Sequence, residues 1–276
     1  MARTHRLARP SPLDPAELHA VRSFEFVQTA LRKAGRRRAE ILEVGCGRGH
    51  LARRLVRAGH RVTAIDSSDR AVRAARRIGV PAVRADFLEY DGGPFDAVVF
   101  VLSLHHVASL PRAAANAHRL LKPGGLLIAD EFGRERVDRA TAAWFYGALD
   151  LLDMAGLLRH EDPGPYTGPK PRGRAASRRR SQEGADADPL TRWRNRHVHT
   201  RTIHTGRALE RAIARRFSIV GAEPAPHLYR YPGRRLQRGV RAVRIVHRLL
   251  ESELEGIDQG LLRAAGIRIV ARRRAR

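Results

Sequence analysis

Ile41-Leu42-Glu43-Val44-Gly45-Cys46-Gly47-Arg48-Gly49-His50 is the stretch on which the reading of this chain turns. A short apolar run carries one acid, Glu43, and ends in three glycines at alternate positions. Leu51 and Leu55 then recur at helical spacing up to Ala58, where Gly59 stops the pattern. The spacing predicts a strand over Ile41–Val44, a tight turn, and an amphipathic helix from about Gly49 to Ala58. Glycine lets the backbone take left-handed conformations and come close to a ligand.

The same unit repeats downstream. Arg61–Ile65 reads as a second strand ending in Asp66, and Ser67 or Ser68 caps a helix reaching Arg77. Pro81–Ala85 reads as a third strand ending in Asp86. Asp91-Gly92-Gly93-Pro94 is a turn. Asp96–Leu102 is continuously apolar after its first residue, as a strand buried on both faces should be. A helix from about Pro111 to Leu121 ends at Lys122-Pro123-Gly124-Gly125, and Leu126–Ala129 is the fifth strand. Regular β–α alternation with short connections implies an α/β fold, a doubly wound parallel sheet.

On either side the pattern differs. Leu18, Val21, Phe24, Val27 and Leu31 predict a helix over Pro15–Ala34, with Asp14 as cap and Gly35 as stop, after a polar tail. Beyond Asp130, Arg136–Leu158 reads as an amphipathic helix. Residues 162–190 are rich in Arg, Pro, Gly and Ser and too poor in aliphatic residues to order alone. Thr205 caps a helix to about Arg216, Phe217–Val220 reads as a sixth strand, Arg235–Glu255 as a long basic helix, and Ile267–Ala271 as a seventh strand. The expected division is a tail and helix (1–35), a ligand-binding core (36–131), a cap insertion (132–204), and a C-terminal part of the core (205–276) with a helical insertion over 224–265.

Composition bounds the function. The 276 residues carry a net charge of +25, nearly all of the excess from arginine, since Lys33, Lys122 and Lys170 are the only lysines. The charge is dispersed along the chain, which describes a solvated surface more than a nucleic-acid stripe, and it suits an anionic acceptor or cofactor. No apolar run approaches the roughly 20 residues of a membrane helix. The arginines near Met1 are followed by no apolar core, so no secretory signal is expected and the cytoplasm is the expected location. Cys46 is the one cysteine, so it forms no intrachain disulfide; within a glycine turn it reads as a small packing residue.

Three carboxylates stand at the tips or flanks of the first three strands, where open α/β sheets hold ligands. Glu43 faces the crevice beside the glycine turn. Asp66 is placed to accept both hydroxyls of a ribose, and Asp86 to accept from an exocyclic amine, with Phe87 beside an adenine face. The dinucleotide pattern would need a glycine at position 50, where His50 stands. Glu43 would also repel a pyrophosphate, whereas it would welcome a cofactor with a positively charged amino-acid tail.

Residues 41–130 resemble the class I S-adenosylmethionine-dependent methyltransferases of small-molecule type. The likeness rests on Leu42–Gly49, Val62–Asp66, Ala85-Asp86-Phe87, Phe95–Val99 through Leu104-His105-His106-Val107, and Leu120–Leu126. It implies a Rossmann-like, seven-stranded, mostly parallel sheet, its last strand antiparallel beside the fifth, with helical and irregular insertions. It implies S-adenosylmethionine as cofactor, with Glu43, Gly45, Cys46, Gly47 and Gly49 at the methionine part. Asp66 and Ser67 would lie at the ribose, Asp86 and Phe87 at the adenine, Val101 and Leu102 on the sulfonium side. Methyl transfer to a small-molecule acceptor is in-line displacement, which chiefly needs alignment.

A base is needed only where the acceptor carries a proton of high pKa, and His105 is the candidate. His197, His199 and His204 form a second histidine group, without a carboxylate or cysteine nearby, and no metal site is expected. Trwo alternatives within the class are an RNA or a protein methyltransferase using Arg172–Arg201 as an electrostatic arm; a nicotinamide-dependent oxidoreductase and an inactive methyltransferase-like binding protein lie outside it. Trp193, Tyr229 and Tyr231 are candidate walls of an acceptor pocket.

Overall fold

The strand from Phe95 to Val101 is buried at every position but its last, so it lies at the middle of a sheet covered on both faces. In the computed structural model, which describes residues 15–159, 188–196, 203–236 and 239–274, that strand is β4 of a seven-stranded sheet. The order is β3-β2-β1-β4-β5-β7-β6. The strands are β1 (Glu40–Val44), β2 (Arg61–Asp66), β3 (Ala82–Arg84), β4, β5 (Leu121–Phe132), β6 (Phe217–Ala225) and β7 (Gly266–Arg273). The first five pair in parallel, and both pairings of β7 are antiparallel.

Period-two alternation builds two cores. Leu42, Val44, Val98, Phe100, Leu127 and Ala129 face one layer, where α4 (Leu110–Leu120) and α7 (Gly206–Ala214) pack. Ile41, Ala97, Val99, Leu126 and Ile128 face the other, against α1 (Pro15–Lys33) and α2 (His50–Arg57). The third helix of the alternation, α3 (Asp69–Arg77), packs Val72 and Ala75 beside Ala64 of β2. A further core joins Leu18 of α1 to α5 (Arg139–Met154), α6 (Pro189–Arg196), α8 (Arg230–Arg235) and α9 (Val240–Asp258). Strand order reverses between β1 and β4, and the chain leaves both strands at the same edge of the sheet. That is the topological switch point, where a crevice opens.

Several boundaries differ from the sequence reading. The fifth strand does not stop at Ala129: Asp130 and Glu131, whose charges suggest a strand end, are 5% and 0% exposed and remain paired with β7. Lys122–Gly125 is an excursion inside β5, because Leu121 pairs with Phe95 and Leu126 with Ala97. The helix expected from Arg136 begins at Arg139, where Asp138 Oδ1 accepts the Thr141 amide at 2.9 Å, and it ends at Met154. The sixth strand continues to Ala225, its Pro224 tolerated because β6 is an edge strand. The helix expected over Arg235–Glu255 runs instead from Val240 to Asp258 and follows a short helix, Arg230–Arg235; between them buried Leu236 bridges to Leu158 and Gly239 takes φ +139°. Asp14, most of 162–190, His197 and His199 lie outside the described residues; of the Arg172–Arg201 arm, residues 188–196 are described and carry α6.

Candidate active site

The glycine turn after β1 is stitched to its neighbours by backbone contacts. Gly45 and Cys46 donate to the Ile65 carbonyl at 2.8 and 3.0 Å. Gly45, Gly47 and Gly49 have φ of +72°, +55° and +76°, a region that L side chains rarely enter. A Cβ on Gly45 would lie 2.5 Å from Cβ of Ser103, and one on Gly49 2.9 Å from Cβ of Ala75, whereas one on Gly47 would meet nothing within 4 Å. Two glycines therefore serve close packing, and Gly47 sits on the open side of the turn. Cys46 is buried, its thiol pushed up to about 12 by burial and by the Glu43 and Asp66 carboxylates. That suits packing and not nucleophilic attack.

Asp66 ties the turn to the tips of β2 and β3. Its Oδ2 accepts the Gly47 amide and its Oδ1 the Ser68 amide, each at 2.9 Å, and its carbonyl accepts from Ala85 at 3.1 Å. A carboxylate offers about four acceptor sites, so capacity for ribose hydroxyls remains. Ser68, not Ser67, caps α3, its hydroxyl accepting the Ala71 amide at 3.3 Å; Ser67 stands exposed beside Asp66. Asp86 is exposed at the β3 tip, with Oδ1 accepting the Leu88 amide at 2.9 Å. Phe87 departs from expectation. Its ring is 5% exposed and packs edge-on against Phe100 at 5.1 Å, so it belongs to the core and presents no open face.

Glu43 is 3% exposed, and its Oε2 has no hydrogen-bond partner. Burial pushes its carboxyl up to about 8; the Ala52 amide opposes the shift and the Asp66 charge adds to it. A buried carboxyl oxygen without a partner is costly, and here it lies beside an open glycine turn. A cationic ligand group is the chemistry that resolves it. The donor set therefore fits S-adenosylmethionine, with a positively charged tail for Glu43 and vicinal hydroxyls for Asp66.

The loop after β4 closes the other side. Val101 and Leu102 are half-buried, and Leu102 holds φ +53°, a strained value for a non-glycine residue, while its amide donates to the Asp130 carbonyl at 3.0 Å. Ser103 Oγ donates to the Val44 carbonyl at 2.6 Å. Glu131, which the sequence reading missed, organises this loop. Its Oε1 accepts the Ser103 and Leu104 amides at 3.0 and 2.8 Å, and its Oε2 pairs with Nδ1 of His105. His105 is 5% exposed. The signal that could have revealed Glu131 is a second acid directly after Asp130, at the end of a strand whose neighbours already carry the site.

His204 and the candidate aromatic residues are engaged within the fold. His204 donates its amide to the His105 carbonyl at 3.0 Å and spends Nε2 on the Val107 carbonyl at 2.9 Å. Among the described residues no three potential metal ligands converge. Trp193 and Tyr229 are 2% and 1% exposed, packed into the cap core, so neither walls an open pocket; Tyr231 is half-buried beside them. Among the described residues no helix is long and apolar enough to cross a membrane.

The methyltransferase-domain family model matches residues 18–216, the larger part of the chain. The chain belongs to that family. Its methyltransferase domain is of the class I, Rossmann-like kind, a family that uses S-adenosylmethionine. It is 35% identical over 152 residues to a ubiquinone biosynthesis O-methyltransferase of Xanthomonas oryzae, covering 51% of this chain and 60% of that one. It is 36% identical over 134 residues to a demethylmenaquinone methyltransferase of Tropheryma whipplei, covering 46% and 55%. It is 35% identical over 97 residues to mouse mitochondrial arginine-hydroxylase NDUFAF5, covering 33% and 28%. The chain thus spans from under a third to three-fifths of the length of these curated relatives. A methyltransferase structure from Methanosarcina mazei shares the fold, with a TM-score of 0.50 at 17% identity over 87% of this chain and 94% of that one.

Proposed function

We propose that this methyltransferase transfers the methyl group of S-adenosylmethionine to a small-molecule acceptor by in-line displacement. The observation that carries the reading is the partnerless buried carboxyl oxygen of Glu43 beside the open Gly47 side of the turn, with Asp66 one hydrogen bond away. Glu43 and the backbone of Gly45, Cys46, Gly47 and Gly49 hold the methionine part. Asp66, with Ser67 beside it, holds the ribose. Asp86 and the main chain of Phe87 receive the adenine. Val101 and Leu102 face the sulfonium side. The cofactor supplies an electrophilic methyl carbon, so the protein's task is to orient the acceptor and exclude water. The names of two relatives, a ubiquinone-pathway O-methyltransferase and a demethylmenaquinone methyltransferase, favour a small organic acceptor.

The +25 charge supports a second reading, transfer to RNA. Incubation with methyl-labelled S-adenosylmethionine and separate metabolite and RNA pools decides between them. Label in metabolites supports the first reading. Label confined to RNA, falling steeply with salt, replaces it with the second.

A further inference from the structure

We infer that the cap holds a second ligand site, built by Arg196, Arg235 and Tyr146, which takes the carboxylate or phosphate oxygens of a small organic anion. It shares no residue with the cofactor crevice.

Three helices of the cap supply the side chains. Tyr146 stands on α5, Arg192 and Arg196 one turn apart on α6, and Tyr231 and Arg235 one turn apart on α8. Residues at that spacing share a helix face. Trp193 anchors α6, buried with its Nε1 donating to the Arg134 carbonyl at 3.1 Å. The Arg159 amide donates to the Arg235 carbonyl at 2.7 Å and pins the end of α8. The faces so fixed meet. The guanidinium carbon of Arg196 lies 5.4 Å from the centre of the Tyr231 ring and 6.0 Å from that of Phe145. That of Arg192 lies 4.0 Å from the centre of the Tyr146 ring.

Donors and acceptors do not balance here. Asp150 takes both terminal nitrogens of Arg192, at 3.1 and 3.2 Å. Among the described residues neither Arg196 nor Arg235 forms an ion pair. Arg235 is half-buried; burial pushes its guanidinium down, Asp153 opposes the shift, and the charge of Arg196 adds to it. A cation withdrawn from water without a paired anion is costly, and a second cation beside it raises that cost. Tyr146 adds a further unmet group. It is 4% exposed, and its hydroxyl has no hydrogen-bond partner, whereas buried hydroxyls are nearly always bonded. Burial pushes the phenol up, with Arg196 and Arg192 opposing, so at neutral pH it keeps its proton and can donate.

Two guanidinium forks and a phenol therefore converge with no acceptor among them. An oxyanion supplies acceptor atoms and the missing charge together. The described acids that bear on the cluster are Asp150, spent on Arg192, and Asp153 near Arg235. Arg196 is exposed, so a ligand meets it from solvent, and the half-buried Tyr231 ring is the apolar surface beside it. Loose attraction of a polyanion needs only the exposed arginines spread over the surface; a buried hydroxyl set against two cations calls for a small group that fits among them.

Calorimetry on the full chain without cofactor, at constant ionic strength, tests this with benzoate and phenyl phosphate beside neutral benzyl alcohol and chloride. At least one of the two organic anions should bind saturably, the tighter identifying the oxyanion, and benzyl alcohol and chloride should not. Arg196→Gln and Arg235→Met should each weaken that binding about tenfold or more, and Tyr146→Phe about fivefold. Arg194→Gln, exposed on the same helix, should leave it unchanged. Urea unfolding separates recognition from packing. Without an organic anion, Arg196→Gln and Arg235→Met should be at least as stable as the wild type, because a repulsion is gone. On adding the anion, the wild type should gain stability and the two variants should not. No saturable binding of either anion, an equal response to chloride or benzyl alcohol, affinity unchanged in both arginine variants, or both variants destabilised in the absence of the anion overturns the inference. Binding of S-adenosylmethionine is measured apart: its failure sinks the proposed function and leaves this site standing.

Discussion

Glu43 makes cofactor binding a proton-release reaction. Burial holds its carboxyl up at about 8, so at pH 7 about nine-tenths of the ligand-free protein carries a proton there. A cationic tail beside the partnerless Oε2 favours the carboxylate and returns the group toward the ordinary range near 4.5. The sign follows. Binding at pH 7 releases close to one proton, and affinity climbs as pH rises toward 8, falling about 50-fold from pH 8 to pH 6. A full return from about 8 to 4.5 corresponds to about 5 kcal/mol, a ceiling on what relief of the buried acid can contribute. Calorimetry at pH 7 in buffers of different ionisation enthalpy counts the proton directly. The cofactor's own amino group also titrates near this range, so Glu43→Gln is the control: it keeps the amino group and removes the acid. The wild type should release roughly 0.9 proton more than the variant. Equal proton release by the two proteins refutes the placement of the tail against Glu43.

Asp66→Ala should weaken S-adenosylmethionine at least tenfold, about 1.4 kcal/mol, because the ribose and the Gly47 amide both lose their acceptor; calorimetry on the folded variant reads it. Gly45→Ala should cost about 1–2 kcal/mol from the left-handed backbone alone, more from the contact with Ser103, and should abolish cofactor binding, as urea unfolding and calorimetry would show. Ser23→Ala removes the 2.9 Å donor to buried Asp130 and should lower unfolding free energy by about 1–3 kcal/mol, with unchanged cofactor affinity.

The alternation from Glu40 to Ala129 was legible because each strand there is bounded by glycine, proline or a carboxylate, and because buried parallel strands are uniformly apolar. The turn, Asp66 and Asp86 could be read for the same reason: their positions are set by strand ends. Harder to read are positions whose character depends on a distant partner. Asp130 and Glu131 read as a strand terminus, since nothing local says that Ser23, Arg268 and the Ser103–Leu104 amides will satisfy them. Phe87 read as a ligand face because its neighbour is a site acid, yet tertiary packing turns it onto Phe100. The late start of α9 at Val240 escaped because the sequence around Arg235 says nothing of the bridge from Leu236 to Leu158.

The most direct test is a crystal structure of the full chain grown with S-adenosylhomocysteine. It should place the amino-acid tail against Glu43 and the Gly45–Gly49 turn, the ribose hydroxyls on Asp66, and the sulfur toward Leu102. A ligand bound elsewhere, or one whose ribose leaves Asp66 bonded only to Gly47 and Ser68, would contradict the account.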